Sequence, residues 1–102
     1  MEVRLHKEAR AELDAAGEGY ESRRPGLGEA FAKEAARAFE LIGENPQRWP
    51  VWPGVTGEPP VRRFLLSRFP FAVAYLAFQD RVVVLAVSHT RRRPGYWLSR
   101  KP

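Results

Sequence analysis

Residues 61–75 read VRRFLLSRFPFAVAY, and this stretch decides the fold. From Phe71 to Phe78 the chain is almost wholly apolar, which fits a strand buried on both faces in the middle of a sheet. Val61–Ser67 reads as the strand before it. Arg68-Phe69-Pro70 is the bend between them, because proline cannot donate to a central ladder. A buried strand has no need of Arg62, Arg63 and Arg68, so their place beside it suggests cationic groups presented from a rigid sheet.

Beyond this stretch, Gln79-Asp80 reads as a hairpin turn, and Val82–Ser88, rich in β-branched residues, as a third strand. The segment His89-Thr90-Arg91-Arg92-Arg93-Pro94-Gly95-Tyr96-Trp97 then leaves the sheet, and the last residues, through Lys101 and Pro102, are expected to be loosely held. On the N-terminal side, five prolines and two glycines between Pro46 and Pro60 mark a long loop. Trp49, Val51 and Trp52 make it too apolar for a simple tether, and the tryptophans are expected to lid the core.

Earlier still, the period becomes helical. Leu27, Phe31, Ala35, Ala38 and Ile42 form one stripe, with Phe39 alongside, and Asn45-Pro46 ends that helix. Ala9, Leu13, Ala16 and Tyr20 form the stripe of a preceding helix whose wet side carries Glu8, Glu12, Asp14, Glu18 and Glu21. Gly17 and Gly19 predict fraying or a bend in its second half, and Arg23-Arg24-Pro25-Gly26 joins the two as a hairpin. Val3 and Leu5, alternating with charged residues, read as a short edge strand. The order is strand, helix, helix, three strands. It predicts one α+β domain over residues 1–102: a small antiparallel sheet, one N-terminal strand plus a three-strand meander, with the helical hairpin on one face.

The 102 residues carry a net charge of +5, unevenly placed. Residues 1–60 are net −3 and residues 61–102 net +8, which suggests an anionic partner for the C-terminal half. With no cysteine there is no disulfide framework or thiolate metal site, and a reducing cytoplasm is the expected setting. The N-terminus, charged from Glu2, does not read as a signal peptide. No apolar run is long enough for a membrane-spanning helix. Two isolated histidines, His6 and His89, do not make a metal site, and no cofactor is expected.

Several stretches together resemble the RelE/ParE superfamily of type II toxin–antitoxin toxins. They are PGLG at 25–28, Phe31, the helix end at Ile42–Pro46, Arg62-Arg63, Leu65-Leu66, RFPF at 68–71, Tyr75, and AVSHTRRRPGYW at 86–97. The resemblance implies a toxin bound by a cognate antitoxin. It leaves two targets open, because RelE-like members cleave mRNA on the ribosome and ParE-like members inhibit DNA gyrase without nuclease activity.

Metal-independent RNA cleavage needs an acid, a base and cations for the pentavalent phosphate. The resemblance would give those roles to Arg62 and Arg63 before the bend and to His89 and Arg91 after the last strand. It puts Ala72 where RelE-like nucleases carry an arginine, which favours the ParE-like reading. A degenerate, non-toxic binding module is the remaining alternative. As binding residues for nucleic acid or a protein partner, the candidates are Arg62, Arg63, Arg68, Arg91, Arg92, Arg93 and Tyr96. His89 also reads as a residue that bonds the terminal turn, and Trp97 as a clamp for the C-terminal segment. Arg62 and Arg63 point to opposite faces of one strand, one of them toward a sheet edge or an acid such as Glu58 or Glu29. The antitoxin segment is expected to be acidic and amphipathic, with salt-sensitive binding.

Overall fold

The apolar periods translate directly into elements in a computed structural model describing residues 1–102. The order is β1 (Val3–Leu5), α1 (Lys7–Arg23), α2 (Leu27–Glu44), β2 (Val61–Leu65), β3 (Phe71–Ala77) and β4 (Val82–His89). The sheet order is β1-β4-β3-β2. β2, β3 and β4 are the expected antiparallel meander. β1 joins parallel to β4, so the sheet is mixed at that edge. The cause is the 45–60 connection, which runs back antiparallel to β2, with Val51 bridged to Arg62. After an α-hairpin, that return leaves β2 and β4 pointing the same way as β1.

Both central strands are buried on both faces because something covers each face. Phe71, Val73, Tyr75, Val82, Val84 and Val87 face the helices, meeting Ala9, Phe31, Ala38 and Ile42. Ala72, Ala74, Leu76, Leu85 and Ala86 face the other way, beneath Trp52 and Trp97. Those two indoles meet edge to face, 4.9 Å between ring centroids. The alanines leave room for them. A β-bulge between Ala74 and Tyr75 sets Tyr75 opposite Val84 and Ala74 opposite Ala86. The extra residue, Leu85, therefore shares the indole face with Ala86.

The expected bend in α1 is absent: the helix runs unbroken through Gly17 and Gly19. Small residues serve the helix crossing instead. A Cβ on Gly28 would lie 2.6 Å from the Gly17 carbonyl oxygen and 2.9 Å from the Glu21 Cβ. Gly26 takes a φ of +90° to start α2. Glu21, placed on the wet side by periodicity, accepts hydrogen bonds from the Gly26 and Gly28 amides at 3.0–3.1 Å. It satisfies donors that a helix start leaves unpaired, with the charge sign the dipole favours.

Candidate functional site: a basic end of the sheet

The β2–β3 bend brings the first arginines into place. Leu66 and Phe69 turn inward, and Glu34 of α2 accepts the backbone N–H groups of Ser67 and Arg68. Arg68 is left exposed, its guanidinium 5.4 Å from the Phe69 ring centroid. Thr90 N–H donates to the Pro70 carbonyl at 2.8 Å, tying the turn after β4 to this bend. Arg68, His89 and the exposed Arg91–Arg93 turn therefore lie at one end of the sheet. Arg23, at the C-terminus of α1, joins Arg68 and His89 around one pocket.

His89 accepts the Arg91 N–H on Nδ1 at 3.1 Å, and its ring packs against Phe71 with centroids 5.1 Å apart. It bonds the terminal turn and also lines the pocket. His6 caps α1 by accepting the Glu8 N–H at 3.1 Å.

Arg62 and Arg63 take opposite faces, as alternation requires, but neither pairs with Glu58 or Glu29. Arg62 lies on the helix side and donates to the Trp49 carbonyl at 2.7 Å and to the Gln47 side-chain oxygen at 2.8 Å, pinning the long loop. Arg63 lies on the indole side, its guanidinium 5.5 Å from the Trp52 ring centroid and its Nε buried without a partner. Arg62 pairs with Tyr75 and His89 with Phe71 across β3. Four residues along a strand and two inter-strand spacings put their backbones roughly 16 Å apart. Arg62, Arg63 and His89 do not converge on a common point. Ala72, 3% exposed, lies on the indole-covered face.

Burial pushes the Tyr75 hydroxyl up to about 12, with the nearby Arg62 charge opposing. It is a neutral donor to the Pro46 carbonyl at 2.7 Å.

Tyr96 is engaged on several sides. Arg92 sits 3.6 Å from its ring centroid, Arg100 lies 5.1 Å away, and its hydroxyl donates to Glu12 at 2.6 Å. Burial and the Glu12 contact raise its pKa, keeping it protonated.

Sequence reasoning missed Glu12 as a structural centre. From α1 it also accepts the Val87 N–H at 3.0 Å and both Arg100 Nη atoms at 2.9 and 3.0 Å, and Arg92 approaches to 3.5 Å. Burial alone would raise the Glu12 carboxyl, but the Arg100, Tyr96 and Val87 hydrogen bonds outweigh it and hold it below its ordinary value. Arg100 also donates to the Leu85 carbonyl at 2.9 Å. β1 pairs only with Val82–Val84, and these contacts serve the edge of β4 beyond it. The C-terminal segment through Arg100 is held rather than loose. Only the partner residues at 12 and 100 reveal this, and nothing in their local sequence marks them.

Apart from the basic end, a groove of about 560 Å³ runs between α1 and α2, floored by Leu13, Phe31 and Ala35 and rimmed by Asp14, Glu18 and Glu21. A second groove, of about 570 Å³, continues along α2 to β1 and shares Ala36 and Phe39 with the first. No helix is long and apolar enough to cross a membrane.

The fold has counterparts among known proteins. A family model described as the ParE toxin of the type II toxin–antitoxin system parDE matches residues 3–94. Among solved structures, a chain of the chromosomal ParDE toxin–antitoxin system from P. aeruginosa superposes with a TM-score of 0.75. That match covers 89% of this chain and 97% of that one at 18% identity, a likeness of fold. No curated protein matches the chain. With the family model spanning nearly its whole length, the chain belongs to the ParE toxin family of type II toxin–antitoxin systems.

Proposed function

We propose that this chain is a growth-inhibiting toxin that acts in the cytoplasm on DNA gyrase, is neutralised by a cognate antitoxin, and does not cleave mRNA. The observation that carries the reading is the indole-covered face of the sheet. Ala72 lies buried there, in one apolar cluster with Trp52 and Trp97. A phosphate could not be reached across that layer. The candidate nuclease residues Arg62 and Arg63 are on opposite faces, and His89 is at the far end. Cleavage requires acid, base and cation around one phosphorus.

A protein target asks less of the geometry. The exposed Arg68, Arg91 and Arg93 form a basic end able to steer toward an acidic protein surface. The antitoxin has two surfaces to use. An acidic segment suits the basic end. A helix seated in the apolar groove of the hairpin needs basic flanks to match Asp14, Glu18 and Glu21.

The test places purified toxin in a gyrase supercoiling assay beside a cleavage map of translated mRNA. Supercoiling should stop, mRNA should remain whole, and Arg91→Ala with Arg93→Ala should restore supercoiling without loss of fold. Codon-specific cuts abolished by His89→Ala would replace this reading with the nuclease one. Expression without antitoxin that leaves growth unaffected would leave a non-toxic binding module.

A further inference from the structure

The pocket at the basic end has a composition that the gyrase reading uses only through Arg68. It measures about 460 Å³, within the size range of small-ligand sites. Three separate elements supply its polar groups: Arg23 from the end of α1, Arg68 from the β2–β3 bend, and His89 from the end of β4. No aspartate or glutamate lines it. Neither Arg23 nor Arg68 is paired with a carboxylate. Each guanidinium instead lies near an aromatic ring, 5.6 Å from the Tyr20 centroid and 5.4 Å from the Phe69 centroid. Such contacts orient a guanidinium while leaving its N–H groups free.

Several arginines elsewhere are engaged internally. Arg62 is bound by carbonyls, Arg81 by Asp80, and Arg92 and Arg100 by Glu12. The histidine is set up similarly. Its Nδ1 is occupied as an acceptor by the Arg91 N–H, so the neutral ring carries its proton on Nε2 as a donor. Two unpaired guanidinium forks and an imidazole N–H around one cavity suit the several acceptor oxygens of a phosphate better than a single carboxylate. The same cavity has an apolar side, where Tyr20 and Leu27 are half-exposed. A planar ring laid there would bury apolar area next to the bound anion. Two carboxylates on the hairpin do not line the pocket. Glu34 is held by the backbone N–H groups of Ser67 and Arg68, and Glu21 by those of Gly26 and Gly28.

We propose that this pocket binds a nucleoside monophosphate unit, its phosphate held by Arg23, Arg68 and the Nε2–H of His89 and its base against Tyr20 and Leu27. Such a unit comes either as a free nucleotide or as the 5′-phosphorylated end of a nucleic-acid strand. The site is independent of whether gyrase is the target.

Amide NMR of the full chain tests this with three probes: AMP, a 5′-phosphorylated DNA tetramer with its unphosphorylated twin, and a Glu-rich hexapeptide. Saturable shifts at Tyr20, Arg23, Phe69, Phe71 and His89 with AMP assign the pocket to free nucleotides. The same shifts with the phosphorylated tetramer alone assign it to strand ends. In either case Arg68→Ala and Arg23→Ala should each weaken binding by about tenfold or more, the loss of one charge-assisted contact. Arg81→Ala, away from the pocket, should leave it unchanged. Both substituted arginines are exposed, so the fold is retained and checked in the same spectra. The proposal is overturned if no nucleotide probe shifts those amides at millimolar concentration. It is equally overturned if the hexapeptide alone shifts them, or if Arg68→Ala binds as tightly as the parent.

Discussion

Removing the Glu12 carboxylate should detach the C-terminal segment from the sheet. The substitution Glu12→Ala leaves three donors without their acceptor: the Val87 N–H, the Tyr96 hydroxyl and the Arg100 guanidinium. The Glu12 and Arg100 side chains are only 16% and 15% exposed, so water replaces the lost contacts poorly. An unsatisfied neutral donor costs about 1 kcal/mol at the lower end, and stranding a half-buried cation somewhat more, so the loss is about 3 kcal/mol. For a domain of this length the unfolding entropy is about 0.21 kcal/mol per degree, which turns that loss into a Tm lower by about 14 °C. Glu12→Gln keeps one acceptor but loses the charge and should fall about halfway. In a double-mutant cycle, Arg100→Ala should then cost much less in the Glu12→Ala background than in the parent. Thermal unfolding followed by circular dichroism reads all four proteins. A second signature comes from pH. The folded-state carboxyl lies below its ordinary value of 4.5. Its contribution is therefore fully present above that value and disappears as pH falls through the folded-state value. The gap in Tm between parent and Glu12→Ala should narrow on acidification from pH 6 toward pH 3. A Tm change under about 4 °C for Glu12→Ala, or strict additivity with Arg100→Ala, would refute the reasoning.

Four other outcomes follow from contacts already described. Gly28→Ala should lower stability by about 1–3 kcal/mol, because its Cβ meets backbone at 2.6 Å; a rise in Tm, from the better helix propensity of alanine, would show that the hairpin can open without cost. Tyr75→Phe removes the hydrogen bond to Pro46 and should cost about 1 kcal/mol in urea unfolding, with toxicity unchanged because a hydroxyl near 12 carries no phenolate at neutral pH. Ala36→Trp, on an exposed site shared by the two hairpin grooves, should weaken antitoxin binding by about 2 kcal/mol or roughly thirtyfold in a calorimetric titration, while growth arrest without antitoxin persists. Ala72→Arg, which restores the charge found in RelE-like nucleases, should give no mRNA cleavage and should destabilise the protein by about 3 kcal/mol or more in urea unfolding, since the position is 3% exposed.

Local rules account for most of the architecture. The apolar run at Phe71–Phe78 sets the central strand, and the stripe from Leu27 to Ile42 sets the helix that covers it. Pro70 and Asn45-Pro46 set the breaks to within a few residues. Contacts far apart in the chain were not legible. Glu12 looks like any solvated helix acid, and only the fold brings it to Arg100 and Val87. Glu21 is similar, since besides facing water, as its periodicity promised, it satisfies the start of the next helix. The parallel entry of β1 also escaped the sequence, because it depends on the direction of a proline-rich loop that has no period of its own.

Ala72 shows how the same residue can be read in two ways. As a motif position it registers only as the loss of an arginine. Within the sheet it shares a face with Ala74 and Ala86, and the small side chains there admit Trp52 and Trp97. A guanidinium projecting from that strand would occupy the volume of the indoles and would be left desolvated among them. A charged catalytic floor and a tryptophan cover are therefore alternative uses of one sheet face. This chain has the cover, and its unpaired cations stand instead at the end of the sheet, where Arg68 and Arg91, beside His89, remain within reach of a partner.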